Sequence, residues 1–478
     1  MSFRSAWAGA PATSLRPVAR SRTITAAGLG KLIRSSGLSG QVACAVADVQ
    51  SGEVIEAENA DNALPPASVA KIVTALYALD TLGAEYRFRT RLLATGPLRN
   101  GILEGDLILA GGGDPTLDTD ALAAMAAELK RAGLREVRGR FRVYQGALPY
   151  IRSIDPEQPA QHGYSPSIAG IALNFNRVHF EWKKATKGWS IAMDARTKRY
   201  RPQVQVATMK IETRALPVYT YADKGGIDRW TVASKALGRE GARWLPVRKP
   251  GLYAGDVLRT MARAHGIVLK PAEIVAILPQ GAETLVQHNS EALRVILKAM
   301  LRWSNNLTAE MVGMTASAAL GKRPGSLRAS AARMNDWAVQ RLGMAGVDLV
   351  DHSGLGDRSR MSAGDLVRAL VQVRKRGILR PILKPVALRD AKGKVVKNHP
   401  VKVHAKTGTL YFVSGLGGFL TTAAGREMAF VIFSADLAAR AQAKKTPDEV
   451  PKGARSWKGK ARRLQQALLA RWGSSPGG

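Results

Sequence analysis

Three short groups of residues carry side chains suited to acyl transfer. Ser68-Val-Ala-Lys71 follows Pro65-Pro66 and opens an apolar run with helical spacing, so Ser68 and Lys71 would share one helix face a turn apart. An amine held beside a serine takes the hydroxyl proton once burial or nearby cations lower its pKa, which makes Ser68 a candidate nucleophile and Lys71 its base. Free N–H groups at that helix start could receive a developing oxyanion. Ser304-Asn-Asn306 is the second group. The third, Lys406-Thr407-Gly408, ends an alternating strand, where a cation and a hydroxyl can bind a substrate carboxylate and a glycine admits close backbone approach. Each group occurs once, and chance would supply all three in this order only about 0.02 times.

The elements that must position these groups follow from patterning. Residues 40–60 read as a hairpin turning at Ser51-Gly52. The helix that begins at Ser68 stops near Gly83. A strand over 105–110 runs into Gly111-Gly-Gly-Asp-Pro-Thr116, expected to be a tight turn because the Lys-Ser/Thr of a phosphate-binding loop is missing. A helix over 118–132 and a strand over 137–144 follow. Residues 181–249 hold 16 Lys or Arg against 6 Asp or Glu and read as a basic, β-rich insertion. Helical patterning spans 290–320. Strands over 401–407, 411–421 and 427–434 form an antiparallel meander, with Ala424-Gly425-Arg426 as its last turn. A final helix over 458–472 is basic on one face and carries Leu464, Leu468 and Leu469 on another. That stripe is expected to pack on the sheet, with a membrane surface as the alternative.

At 478 residues and 51.2 kDa the chain exceeds one ordinary core, so several domains are expected. With 71 Lys and Arg against 37 Asp and Glu, its formal charge is +34, which favours polyanions such as cell wall or anionic lipid. Nucleic acid is the poorer choice, because the basic stretches lack interleaved aromatics. The lone Cys44 rules out an intrachain disulfide and multi-Cys zinc; alternating with Val42 and Val46, it reads as a buried strand residue. Seven histidines without ligand spacing give no reason to expect a metal, and no cofactor is expected. The lack of a Gly-x-Ser-x-Gly elbow argues against an α/β-hydrolase. No apolar run reaches the roughly 18 residues of a spanning helix. A signal peptide is not evident, although Ala6-Trp7-Ala8 matches the small-x-small pattern before a cleavage site.

Taken together, Ser-x-x-Lys, Ser-x-Asn and Lys-Thr-Gly resemble the motif set of penicillin-binding proteins and serine β-lactamases. The long interval between Lys71 and Ser304 is similar to that of the type-4 penicillin-binding proteins, the class C D-alanyl-D-alanine carboxypeptidase/endopeptidases. The resemblance extends through Gly105 to Leu117, Tyr164 to Asn176, Ser304 to Glu310, Asp351-His-Ser-Gly-Leu355 and Lys406 to Leu410, covering roughly residues 35 to 440. It implies an α+β, multi-domain fold: a β-lactamase/transpeptidase-like domain, with an antiparallel sheet flanked by helices, carrying nested insertions. On that basis 1–35 is an N-terminal segment, 36–88 and 285–478 the split catalytic domain, 89–180 and 245–284 an inserted domain, and 181–244 a third, basic domain. It also implies roles: Ser68 as acylated nucleophile, Lys71 as base, Ser304 as proton shuttle to the leaving D-alanine, and Asn306 orienting Lys71 and the substrate amide. Lys406, Thr407 and Thr409 would hold the terminal carboxylate beside Gly408, and the N–H groups of Ser68 and Thr409 would form the oxyanion hole.

The sequence departs from that family in two places. Val143-Tyr-Gln-Gly146 stands where an acidic cluster is usual, which puts recognition of a diaminopimelate amine in doubt. His352 sits inside the Asp-x-Ser-Gly pattern and is expected to be a neutral variant, not an extra base. The preferred function is a serine DD-peptidase acting on D-Ala-D-Ala ends, and by extension on D-Ala cross-links, of peptidoglycan stem peptides. β-Lactams would be covalent inhibitors, and a peripheral contact with anionic membrane or wall remains open. The setting would be periplasmic or otherwise extracytoplasmic. A β-lactamase is disfavoured, since Ser304 stands where a deacylating Tyr-x-Asn tyrosine would be. A silent wall-binding protein is disfavoured by the intact motifs.

Overall fold

A computed structural model describes residues 26–390, 393–445 and 450–474, so Ala6-Trp7-Ala8 lies outside the described residues. Its central feature is a six-stranded antiparallel sheet, in the order Lys384–Pro385, Lys402–Leu410, Val413–Thr421, Glu427–Ala435, Gln41–Asp48, Val54–Glu58. Strand Gln41–Asp48 is buried on both faces, so its alternation separates two cores instead of core from solvent. Val42, Cys44 and Val46 pack toward one core, while Ala43, Ala45 and Ala47 meet the other. Burial pushes the Cys44 thiol up to about 12, helped by Glu58 and Glu56, as suits a small packing residue.

The terminal helices Ala26–Ser35 and Ala454–Gly473 cover the Cys44 face. Leu464, Leu468 and Leu469 are buried there, so the apolar stripe of the last helix is spent on the sheet. Its end is fastened by Arg471 and the Trp472 indole N–H, both donating to the buried Glu56. On the opposite face lies a helical lobe built from Lys71–Leu82, Leu293–Trp303, Asn306–Ala319, Leu327–Leu342 and Ala363–Arg374. None of the described helices is long and apolar enough to cross a membrane.

The chain leaves the helical lobe by strand Arg89–Ala94 and returns by Glu283–Asn289. These two pair antiparallel, Arg89 opposite Asn289, so both crossings lie side by side. Phe88 and Ser290 lock the junction, each backbone N–H donating at 2.9 Å to the other residue. Both strands belong to a five-stranded sheet, in the order Glu273–Val275, Phe141–Tyr144, Leu107–Ala110, Arg89–Ala94, Glu283–Asn289. Two three-stranded sheets occupy 177–246. Trp230 and Val232 from this basic segment join Leu92, Leu109 and Val143 in one continuous apolar cluster.

Several elements differ from the expected ones for local reasons. The helix expected from Ser68 starts as a 3-10 turn, Ala67–Ala70, and becomes α-helical only at Lys71. The helical stretch 290–320 is two helices, broken at Ser304-Asn305. The strand expected over 137–144 splits into Glu136–Val137 and Phe141–Tyr144, because Gly139 crosses against Gly105, whose carbonyl would lie 2.4 Å from an added Cβ. Helix Thr119–Arg131 begins where expected, with the Asp118 carboxylate accepting from Ala121 N–H. Gly111 and Gly112 are hemmed in by Ile171 and the Arg89 carbonyl, so the glycines admit close neighbours, and the turn itself falls at Pro115-Thr116, where Thr116 N–H donates to the Asp114 carboxylate.

Truncating Leu468→Ala should cost about 2–5 kcal/mol, since the cavity opens under a sheet that cannot collapse onto it. Thermal unfolding followed by circular dichroism would register this as a lowered Tm; an unchanged Tm would mean that the helix does not pack there.

Candidate active site

Ser68 sits on the 3-10 turn wedged between the six-stranded sheet and the helical lobe. The fit depends on glycines. A Cβ at Gly408 would stand 2.7 Å from the Pro66 carbonyl and 3.0 Å from Ser68 N, and one at Gly354 only 1.9 Å from the Ala67 carbonyl. Gly408 therefore has a structural reason besides substrate access: it lets its strand press against the nucleophile turn. Ala67 holds φ at +46°, a left-handed conformation that costs a non-glycine residue about 1–3 kcal/mol and persists only when its surroundings impose it.

Lys71 is the first residue of the following α-helix, and its amine is fully buried. It donates to Ser68 Oγ at 3.0 Å, to Asn306 Oδ1 at 2.8 Å and to the Ser353 carbonyl at 2.7 Å. All three donor positions of an ammonium are thus matched by neutral oxygens. Burial depresses the Lys71 pKa, and the nearby Glu310 and Asp351 carboxylates only partly oppose it. The free base is thereby favoured at a lower pH than for an exposed lysine.

The break between two helices positions the second group. Ser304 caps Leu293–Trp303 in a left-handed conformation, φ +59°, and the Asn305 side chain accepts from Thr308 N–H to start Asn306–Ala319. Asn306 Nδ2 donates to the Tyr164 carbonyl at 2.9 Å, so a segment of the inserted region reaches the rim of the site. Lys406, also buried, donates to Ser304 Oγ at 2.9 Å and to the Thr407 carbonyl at 2.6 Å. Burial, with the charges of Lys71 and Lys384 in support, holds its pKa well below the ordinary lysine range.

Thr407 is half-buried and Thr409 exposed, further along the same strand. The outer partner of that strand is only two residues long, pairing Lys384 with Ala405 and Pro385 with His404. Among the described residues, 407–410 have no neighbouring strand on that side. An extended peptide could pair along such an edge.

All eight residues singled out from the sequence thus belong to one neighbourhood, linked by side-chain bonds or by a shared strand. Three contributors went unread: the Ser353 carbonyl, Tyr164 and Glu310. The first two act through backbone atoms, which a sequence does not display. His352 is buried, its pKa pushed down to about 3 by that burial, and its ring is engaged by Ser330 Oγ at 2.7 Å and Met334 Sδ, so the imidazole is uncharged. Gln145, in the place of the acidic cluster, accepts from Gly251 N–H at the start of Pro250–Ala264.

This sheet order, with a serine, two lysines and a split helix at one edge, defines the transpeptidase-like class of serine acyl-transfer enzymes. The crystal structure of penicillin binding protein 4 from Haemophilus influenzae has the same fold, with a TM-score of 0.73 at 21% identity over 93% of this chain and 99% of that one. The chain belongs to the D-Ala-D-Ala carboxypeptidase 3 (S13) family, whose model matches residues 26–452. Curated relatives include the D-alanyl-D-alanine carboxypeptidase DacB of Haemophilus influenzae, 26% identical over 81% of this chain and 83% of the relative. Another is the D-alanyl-D-alanine carboxypeptidase of Actinomadura sp. strain R39, 27% identical over 81% and 76%. The activity is that of a serine DD-peptidase.

Gly408→Ala tests the wedge. The added methyl must displace the strand or the Ser68 turn, so hydrolysis of a D-Ala-D-Ala peptide should fall at least about tenfold, the effect of roughly 1.4 kcal/mol. Steady-state kinetics at wild-type level would show that the strand is not pressed against the turn.

Proposed function

We propose that Ser68 is the residue acylated in this DD-peptidase. Its Oγ attacks the carbonyl carbon of the penultimate D-alanine while its proton passes to the neutral Lys71 amine. The single observation that carries this reading is the bond between the fully buried Lys71 and Ser68 Oγ. A tetrahedral oxyanion would be received by the N–H groups of Ser68 and Thr409. On collapse the C–N bond breaks, and Ser304 relays a proton to the leaving amine of the terminal D-alanine. Its contact with Lys406 supports that relay. Water then attacks the acyl-enzyme, releasing the shortened peptide and restoring Ser68.

Lys406, Thr407 and Thr409 bind the terminal carboxylate, with Gly408 completing the strand edge. Asn306 holds Lys71 through Oδ1 and presents its amide to the substrate backbone. A peptide donor on a neighbouring strand would meet the same groups, so we extend the reading to D-Ala cross-links of peptidoglycan and to an extracytoplasmic setting. β-Lactams, which carry a strained amide and a carboxylate in similar relation, would acylate Ser68 and remain attached. The Haemophilus influenzae relative has been crystallised in complex with a β-lactam. The large positive charge fits a substrate rich in carboxylates.

Fluorescent penicillin provides the test. The wild-type protein should carry a covalent label that survives denaturation, and Ser68→Ala should carry none. A stable label on Ser68→Ala would remove Ser68 as nucleophile. Rapid loss of label with turnover of the drug would replace the peptidase reading by that of a β-lactamase. With Lys406→Ala, KM for a D-Ala-D-Ala peptide should rise at least about tenfold, as befits a lost charge-assisted bond of about 1.5–3 kcal/mol.

A further inference from the structure

Two buried carboxylates lie behind Lys71 that the three motifs do not account for. Glu310, about one turn beyond Asn306 on the same helix, is 0% exposed. Its two oxygens accept from the backbone N–H groups of His352 and Ser353, both at 2.9 Å. The carbonyl of that same Ser353 is the 2.7 Å acceptor for the Lys71 amine. Asp351 takes the N–H groups of Gly354 and Gly356 at 2.6 Å each, and Thr74 donates to the His352 carbonyl at 2.6 Å. The 351–356 turn is therefore wrapped around two carboxylates, and one residue, Ser353, connects Glu310 to the base.

The helix is shaped for this contact. A Cβ at Gly313 would sit 2.2 Å from the His352 ring, so the glycine is what allows the turn to close on Glu310. An uncompensated buried carboxylate is costly, and two converging N–H donors are best matched by two acceptor oxygens, which a glutamine lacks. Glu310 reaches the Lys71 amine through the Ser353 backbone and, as a charge, through space. The charged groups facing Lys71 are Glu310 from the helix, Asp351 from the turn and Lys406 from the sheet, while the adjacent His352 is neutral. Burial raises the carboxyl pKa values of Glu310 and Asp351, while the two backbone N–H groups that donate to each of them favour the ionised carboxylate.

We propose that Glu310 is a positioning residue for the reaction: its carboxylate fixes the Ser353 carbonyl against Lys71 and sets how readily that amine gives up its proton. The proposal rests on the reading of Ser68 and Lys71 as nucleophile and base. Removing the charge leaves burial less opposed, so the proton affinity of Lys71 falls further. Because the neutral amine is the working form, activity extends to lower pH when that affinity falls. A glutamine also turns an amide N–H₂ toward one of the two backbone donors, which loosens Ser353 and lowers the rate at every pH.

The test is the second-order rate constant of fluorescent-penicillin labelling as a function of pH for wild type, Glu310→Gln and Glu310→Asp. Expected for Glu310→Gln is a plateau lowered at least about tenfold and an acid limb displaced to lower pH. Glu310→Asp, which keeps the charge, should keep the limb at its wild-type position even as the plateau falls. A limb that stays put in Glu310→Gln would reduce Glu310 to a fold-stabilising residue and overturn the proposal. If Glu310→Gln does not fold, Glu310→Asp carries the test, and wild-type rates across the pH range would overturn the proposal equally. Failure of the wild-type protein to label would instead withdraw the reading of Ser68 itself.

Discussion

A lysine amine sealed from solvent and bonded only to neutral oxygens is the constraint around which this structure is arranged. Lys71 draws its three acceptors from three separate stretches: its own turn, the helix break at 304–306 and the turn at 351–356. Burying an amine without a directly bonded counter-ion disfavours its charged form, and that penalty makes the free base accessible. The same logic applies to Lys406, a second buried amine, which meets a serine and a backbone carbonyl. Each lysine is paired with one serine, and the charge of Lys71 adds to burial in holding the Lys406 pKa down.

Holding that amine in place requires backbone that ordinary packing would not choose. Ala67 and Ser304 both have positive φ, one just before the nucleophile and the other at the proposed relay. Gly354 and Gly408 clear the space in which the nucleophile turn sits. The six-stranded sheet supplies the rigid wall for this arrangement, because Gln41–Asp48 and its partner Glu427–Ala435 are buried on both faces and cannot slip register without exposing one core. The insertion hangs from two adjacent strands and reaches back to the site through the Tyr164 carbonyl.

Most of the site was legible in the sequence, because acyl transfer needs particular side chains and these occur at diagnostic spacing. The sheet strands were legible for a similar reason, since period-two alternation survives even when both faces are buried. The break at Ser304-Asn305 was hidden because apolar positions continue across it, with Leu297 and Leu301 on one side and Leu307 and Met311 on the other. The 3-10 turn at Ser68 is imposed by Gly354 and Gly408, residues hundreds of positions away, and no local pattern encodes it. Glu310 was visible as a letter but silent as chemistry, since a single glutamate in a helix ordinarily faces water. The continuous core beneath the basic segment was obscured by its surface charge.

The account stands or falls on the protonation of one amine. The direct measurement is an NMR pH titration of protein carrying lysine labelled with carbon-13 at Cε, with the Lys71 signal assigned by its disappearance in Lys71→Arg. The account predicts a midpoint clearly below the value of about 10.4 for an exposed lysine. A Lys71 signal that titrates with the surface lysines, or that stays fully protonated throughout the range in which Ser68 is acylated, would contradict it.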